Sequence, residues 1–489
     1  VATAVSAGRG NVLARAAALS LLAPPLTAAA HGFGRLYNLP VPFWMYGWAA
    51  ASALLLSFLL IGYFASTPSA HRDEARQALR AIPRGLRFIR PLLQTLSLMA
   101  LLLCIVAGLI GNRDPYRNFS MTCFWIVFVL GFTYFTAFAG NLYAAINPWR
   151  TLAALIDRIW RGYARGRFIY PTRLGNWPAL VLYMGFIGFE LFGHSTPFSL
   201  AALLLGYSGF NLIGVGLFGS THWFRHVEFF SLFLRLVALM APVEYQRGAL
   251  RWRLPFSGLW QERPTQLATV LFALAMLSTT AFDGLRATQW WVALFWWDPT
   301  GWVTALAGTR PGADVARMLD WYFCWESFWL LASPFLYFAL YLAALAIARV
   351  LTGSTRSLRE LALDFGYSLL PIALVYHATH YSTLLLTQGL KIVSLLSDPF
   401  GWRWNLLGTA NKLVAPILPP MGWVWHTQVG LILFGHIVSV YVAHRIALRV
   451  FPTPRQAWLS QLPMLLMMVA FTVAGLWILA QPLTVELMR

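Results

Sequence analysis

Charged side chains are scarce in this sequence. They make up 11% of its 489 residues, where a soluble domain carries about 25%. Acidic residues are scarcer still: 17 Asp and Glu stand against 36 Lys and Arg, a formal net charge of +19. That shortage excludes an ordinary soluble fold with a charged surface. Cysteine is nearly missing too. Cys104, Cys123 and Cys324 form no CxxC and no metal-ligand spacing, which leaves them packing roles. No polar linker sets off a soluble domain, and no internal repeat is visible.

What the chain has in abundance is apolar sequence, 59% of all residues. Windows of about 20 apolar residues recur along it, the length a helix needs to cross a bilayer. With no water in hydrocarbon, such segments must be helical. The expected fold is an all-α polytopic transmembrane bundle of about 10–11 spans with short loops. Spans are read at about 43–64, 91–111, 119–142, 177–192, 197–218, 266–282, 321–346, 365–387, 423–443 and 459–480. The segment 219–247 is apolar but holds Arg225, His226, Glu228 and Arg235. It reads as an interfacial or re-entrant helix, and the basic 150–173 as a helix lying on the membrane surface.

The excess positive charge is almost all arginine, gathered in a few loops, and reads as topology rather than as a nucleic-acid footprint. Residues 1–30 resemble a secretory signal: Arg9 and Arg15, a short apolar core from Ala16 to Leu26, then Ala28-Ala29-Ala30. The domain plan is thus a signal segment over 1–30 and one bundle over 31–489. Cleavage after Ala30 would place His31 at a periplasmic N-terminus. The expected location is a bacterial inner membrane, crossed many times.

Histidines inside apolar spans are the chemical signal. An ionisable group at bilayer depth is costly and marks a functional site by default. His377 and His380 lie in YSLLPIALVYHATHYSTLLLTQG, and His426, His436 and His444 in WHTQVGLILFGHIVSVYVAH. His377 and His436 both fall near the midplane, on helices that can lie side by side. Glu190 and His194 sit at i, i+4 near the outer end of one span, with Glu326 and Asp283 near the outer ends of two others. A mixed shell of imidazole and carboxylate suits a divalent transition metal, Zn or Fe before Cu. His377, His380, His436, His426 and His194 are the candidate ligands. His31 joins them through the way an N-terminal histidine chelates copper. Glu190 or Glu326 is the candidate general base or catalytic carboxylate. Interhelical hydrogen bonding that fixes packing is the competing reading of the same histidines.

Four stretches resemble one family of bacterial multispanning proteins: AHGFGRLYNLPVPFWMYGWAAA at 30–51, PIALVYHATHYSTLLLTQG at 371–389, SDPFGWRWNLLGTA at 397–410 and VWHTQVGLILFGHIVSVYVAHR at 424–445. The family is that of fenitrothion hydrolase, an integral-membrane organophosphate hydrolase. This chain has His444-Arg445 where the family's segment has a histidine followed by an aspartate. The resemblance implies a membrane hydrolase of an apolar ester or phosphotriester, with the bilayer and an apolar small molecule as partners and no nucleic acid. A transporter or metal-handling permease built on the same histidines is the alternative. A structural subunit bound to a membrane partner is a third.

The arginine pattern generates a topology prediction. Loops 65–90, 150–175 and 347–362 should share the cytoplasmic side. Arg84→Cys and Arg356→Cys, each in an otherwise cysteine-free chain, are expected to resist an impermeant thiol reagent in intact cells and to react after lysis.

Overall fold

The computed structural model describes residues 41–64, 80–81, 84–193, 195–246, 249–410, 412, 417 and 419–481. The signal segment 1–30, His31 and His194 lie outside the described residues. The apolar runs are helices, as the lack of hydrogen-bonding solvent in a bilayer requires. In chain order they are α1 Phe43–Phe64, α2 Arg84–Ile110, α3 Phe119–Ala139, α4 Pro148–Ile159, α5 Trp177–Phe192, α6 Pro197–Phe218, α7 Ser220–His226 and α8 Phe229–Ala238. There follow α9 Leu267–Arg286, α10 Val315–Thr352, α11 Leu358–Phe365, α12 Leu370–Gln388, α13 Met421–Val450 and α14 Pro454–Ala480.

Among the described residues, eight helices are long and apolar enough to cross a membrane. The pair α11–α12, bent by 50°, makes a ninth. The bend has local causes. Gly366 packs against α9, where a Cβ would stand 2.8 Å from Val270 Cγ2. Pro371 stands in the first turn of α12, where it has no N–H with which to continue the hydrogen-bond ladder from α11. The short α5, 16 residues, is the remaining apolar helix of the expected set. The protein is therefore a multi-pass, all-α membrane bundle.

Helix α9 is its axis. Its apolar window is 94% buried, against 28% for α1 and α2 at the periphery. It packs on α5, α10, α12 and α14. Along α3 the backbone widens to a π-helix over Thr122–Phe132.

Within residues 219–246, the first helix keeps an exposed face and the second enters the bundle. These are α7 and α8, broken at Glu228, and α8 is largely buried in the bundle. Glu228 caps α8 by accepting the N–H groups of Phe230 and Ser231 at 3.2 and 2.9 Å. It also accepts Tyr207 Oη–H at 2.9 Å and Asn147 Nδ2–H at 3.1 Å. A buried carboxylate is tolerated because every bond it needs is supplied. This is why a charged residue sits where the hydropathy called for an apolar one.

A small sheet closes one end. Strand β1 (Arg80–Ala81) pairs with β3 (Ala249–Trp252), which pairs with β2 (Val243–Gln246), all antiparallel. It ties two arginine-rich loops edge to edge. At the same end Asp364 meets Arg263 at 3.0 Å and Arg356 at 2.7 Å, and Gln456 donates to Thr352 O at 3.0 Å. Arginine-rich loops far apart in sequence thus share one side of the bundle. At the opposite end Asn112 N–H donates to Phe400 O at 2.7 Å, joining the 111–118 turn to the loop after α12. The Trp-rich loop there is shaped by Asp298. Burial alone would raise its carboxyl, but bonds from the Thr304 hydroxyl and from the Thr304 and Val303 N–H groups hold it below the ordinary range.

Small residues let α2 and α6 approach closely, the usual basis of helix contact in lipid. A Cβ on Gly108 would collide with the Pro197 carbonyl oxygen and stand 2.6 Å from Ala201 Cβ. Gly108→Val is expected to destabilise the protein by about 1–3 kcal/mol through overpacking. Thermal unfolding in detergent beside Gly206→Val, whose Cβ meets open space, measures the difference.

Candidate active site

The site begins on α9. Asp283 and Arg286 stand three residues apart near its end, about 24 Å along the axis from Leu267. Asp283 is 1% exposed. Its Oδ2 accepts Tyr381 Oη–H at 2.8 Å and lies 3.0 Å from His380 Nε2. Both partners belong to α12. Arg286 reaches the other way. Its Nε and Nη2 donate to the two oxygens of Glu326 on α10, each at 3.1 Å. Its Nη1 is 4.0 Å from Asp283 Oδ1. The guanidinium also lies over the Phe192 ring at the end of α5, 5.0 Å from the centroid. One cation thus holds two carboxylates and three helices in register, and Asp283 joins α12 as a fourth. The forked geometry is the kind that suits arginine and not lysine.

Beside this network α3, α5, α8, α9 and α12 enclose a cleft. Its walls are mainly Phe186, Phe229, Phe230 and Phe233, and its polar groups are Glu190, Asp283, His377, Tyr381 and Thr279. Free space amounts to about 470 Å³ counting the open mouth, but the centre of a water-sized sphere has only about 30 Å³ to occupy. That is room for about two waters. His377 Nδ1 lies 3.1 Å from Tyr134 Oη on α3, and its ring packs on Tyr381 at 4.8 Å. Among the described residues no side chain bonds the Glu190 carboxylate.

The expected site residues are distributed as follows. Glu190 and His377 share the cleft, and His380 adjoins it through Asp283. Glu326 is engaged by Arg286. His436 lies on α13 in the register expected of it, since Gly435 packs on Val375 of α12. Yet no bond or ring contact joins it to His377; its Nδ1 is 2.8 Å from the Ile432 carbonyl oxygen. His426 is exposed in the second turn of α13, against Tyr46 and 2.6 Å from Gly422 O. Among the described residues, no group of three or more His, Cys, Asp or Glu side chains is placed to hold a metal ion. His380 Nε2 and the Glu326 oxygens already have protein partners.

Three participants escaped the sequence reading: Arg286, Tyr381 and Tyr134. A signal existed for the first. Asp283 and Arg286 are the only charged residues of α9, and an i, i+3 acid–base pair inside a span calls for a partner on a neighbouring helix. Tyrosines in an aromatic-rich membrane chain carry no such mark. No protein-family model, curated protein or solved structure matches the chain.

Removing one member of a buried ion pair leaves a charge uncompensated, at about 3–5 kcal/mol. Arg286→Ala is expected to cost that much, whereas Arg286→Met combined with Glu326→Leu should recover most of it. Unfolding midpoints of the single and double variants at matched detergent concentration check this.

Proposed function

We propose that the protein is an integral-membrane hydrolase of apolar esters or phosphotriesters, working by general-base activation of water. The observation that carries this is Glu190: a carboxylate without a side-chain partner among the described residues faces the same aromatic-walled cleft as His377 and Asp283. Water in the cleft gives its proton to Glu190 as it attacks the phosphoryl or carbonyl centre. As the bond to the leaving group breaks, the leaving group takes up the proton that Glu190 accepted, relayed through the His377 ring, which Tyr134 holds. Asp283 is fixed by Tyr381, His380 and Arg286 and sets the orientation of the α12 residues. The phenylalanine walls suit an apolar substrate that reaches the cleft from the bilayer. The resemblance to fenitrothion hydrolase points to the same substrate class. The arginine-rich end is assigned to the cytoplasm, so the cleft lies in the outer half of an inner membrane.

One observation favours a second reading. A cleft with room for about two waters suits a proton or small ion better than a phosphotriester, and a proton-coupled permease would use the same groups. Assays separate the two. A chromogenic aryl phosphotriester and an aryl ester are offered to purified protein in detergent. Turnover that falls about 10²-fold or more in Glu190→Gln at equal yield is the expected result. No turnover by the unaltered protein on either probe would overturn the hydrolase reading.

A further inference from the structure

A second set of buried polar atoms lies on the far side of α12, away from the cleft. On α13, His436 Nε2, Ser439 Oγ and His444 Nε2 are buried without a hydrogen-bond partner among the described residues. Tyr376 Oη on α12 and Gln461 Oε1 on α14 are in the same condition. All five residues are less than 5% exposed. Buried polar atoms are nearly always satisfied, and the common partner when protein supplies none is ordered water. Here five such atoms occur on three helices that pack together.

Their order along the bundle is informative. Tyr376 lies against Gly475 of α14, one residue before His377 and one turn before His380, the Asp283 partner. His436 follows at that general level, where Gly435 packs on Val375. Ser439 is one turn closer to the arginine-rich end. His444 comes next, its Nδ1 3.1 Å from Gln461 Nε2. Beyond it are Arg445 and Arg449, the latter donating to Trp260 O in the arginine-rich end. The series therefore runs from beside the cleft's histidines to the opposite end of the bundle. Imidazole and hydroxyl groups can each accept a proton on one side and release one on the other.

We propose that Tyr376, His436, Ser439, His444 and Gln461 line a file of buried water that conducts protons between the histidines of α12 and the arginine-rich end. This path stands whether the cleft hydrolyses a substrate or carries one. It also gives His436 and His444 a role separate from the cleft.

The experiment has two readouts. X-ray radiolytic footprinting of the purified full chain oxidises side chains that touch bound water. Tyr376, His436 and His444 should be labelled despite their burial, along with exposed His426. Labelling of His426 alone would overturn the water file. Proton uptake is then followed with an internal pH dye in proteoliposomes under a potassium-diffusion potential. The unaltered protein should conduct protons, and His436→Phe should lose that conductance. Should His436→Phe fail to fold, Ser439→Val serves in its place. Conductance equal to that of empty liposomes, or left unchanged by a folded variant, would overturn the path. Glu190→Gln separates this from the reading of the cleft: it should abolish turnover and leave the footprint of Tyr376, His436 and His444 in place.

Discussion

The interaction on which the rest depends is the fork of Arg286 on Glu326. Two charges inside a bundle are costly to desolvate, and only good geometry offsets that cost. Here the geometry is two bonds of 3.1 Å, a second carboxylate at 4.0 Å and an aromatic face beneath the guanidinium. Because Asp283 is one turn from Arg286, the position of the cation fixes the acid that orients His380 and Tyr381. Those two residues in turn fix the face of α12 that carries His377 into the cleft. The site is thus assembled from a structural ion pair outward.

The placement of polar groups follows from a single economy. The buried carboxylates meet the same problem in more than one way. Glu228 is surrounded by donors at a helix start, Glu326 has a cation, and Asp283 has an imidazole, a phenol and a more distant cation. Glu190, which is half-buried, has no such set of side-chain partners among the described residues. A carboxylate that opens to a cleft while its peers are engaged by protein is the natural candidate for chemistry, since its bonds can be made with a ligand or water.

Much of the fold was legible from hydropathy. Every expected apolar span is a helix, because hydrocarbon leaves the backbone no other choice. The arginine loops were legible as a group, and the ion pairs and the small sheet do place several of them together. Gly366, Pro371 and Glu228 are visible in the sequence, but the bend and the break they make were not legible, since the packing of Gly366 on α9 and the bonds from Tyr207 and Asn147 to Glu228 need the folded chain. For the site, histidine and glutamate in a span were visible as anomalies, which led to Glu190, Glu326, His377 and His380. Depth could be counted along each helix, but rotation about its axis could not. His377 and His436 lie at similar depth, and their rings turn to different neighbours, Tyr134 and Ile432. The sharing of Asp283 between His380 and Tyr381 likewise needs the packed structure.

The sheet at the arginine-rich end carries a consequence for biosynthesis. Arg80 pairs with Leu250, so the first hairpin of helices cannot complete its register until about 170 further residues have been made. At about 5–20 residues per second, that interval is on the order of ten to thirty seconds. During it, α1 and α2 reside in the membrane as partly assembled helices, with 28% of each apolar window buried even in the finished bundle. Their lipid-facing character lets them wait. A helix such as α9, whose surface is almost wholly committed to protein contacts, enters a membrane where only α5 of its neighbours is already present, and α10, α12 and α14 follow it. The order of the helices in the chain therefore doubles as an assembly schedule, with the peripheral pair first and the axis before most of the helices that bury it.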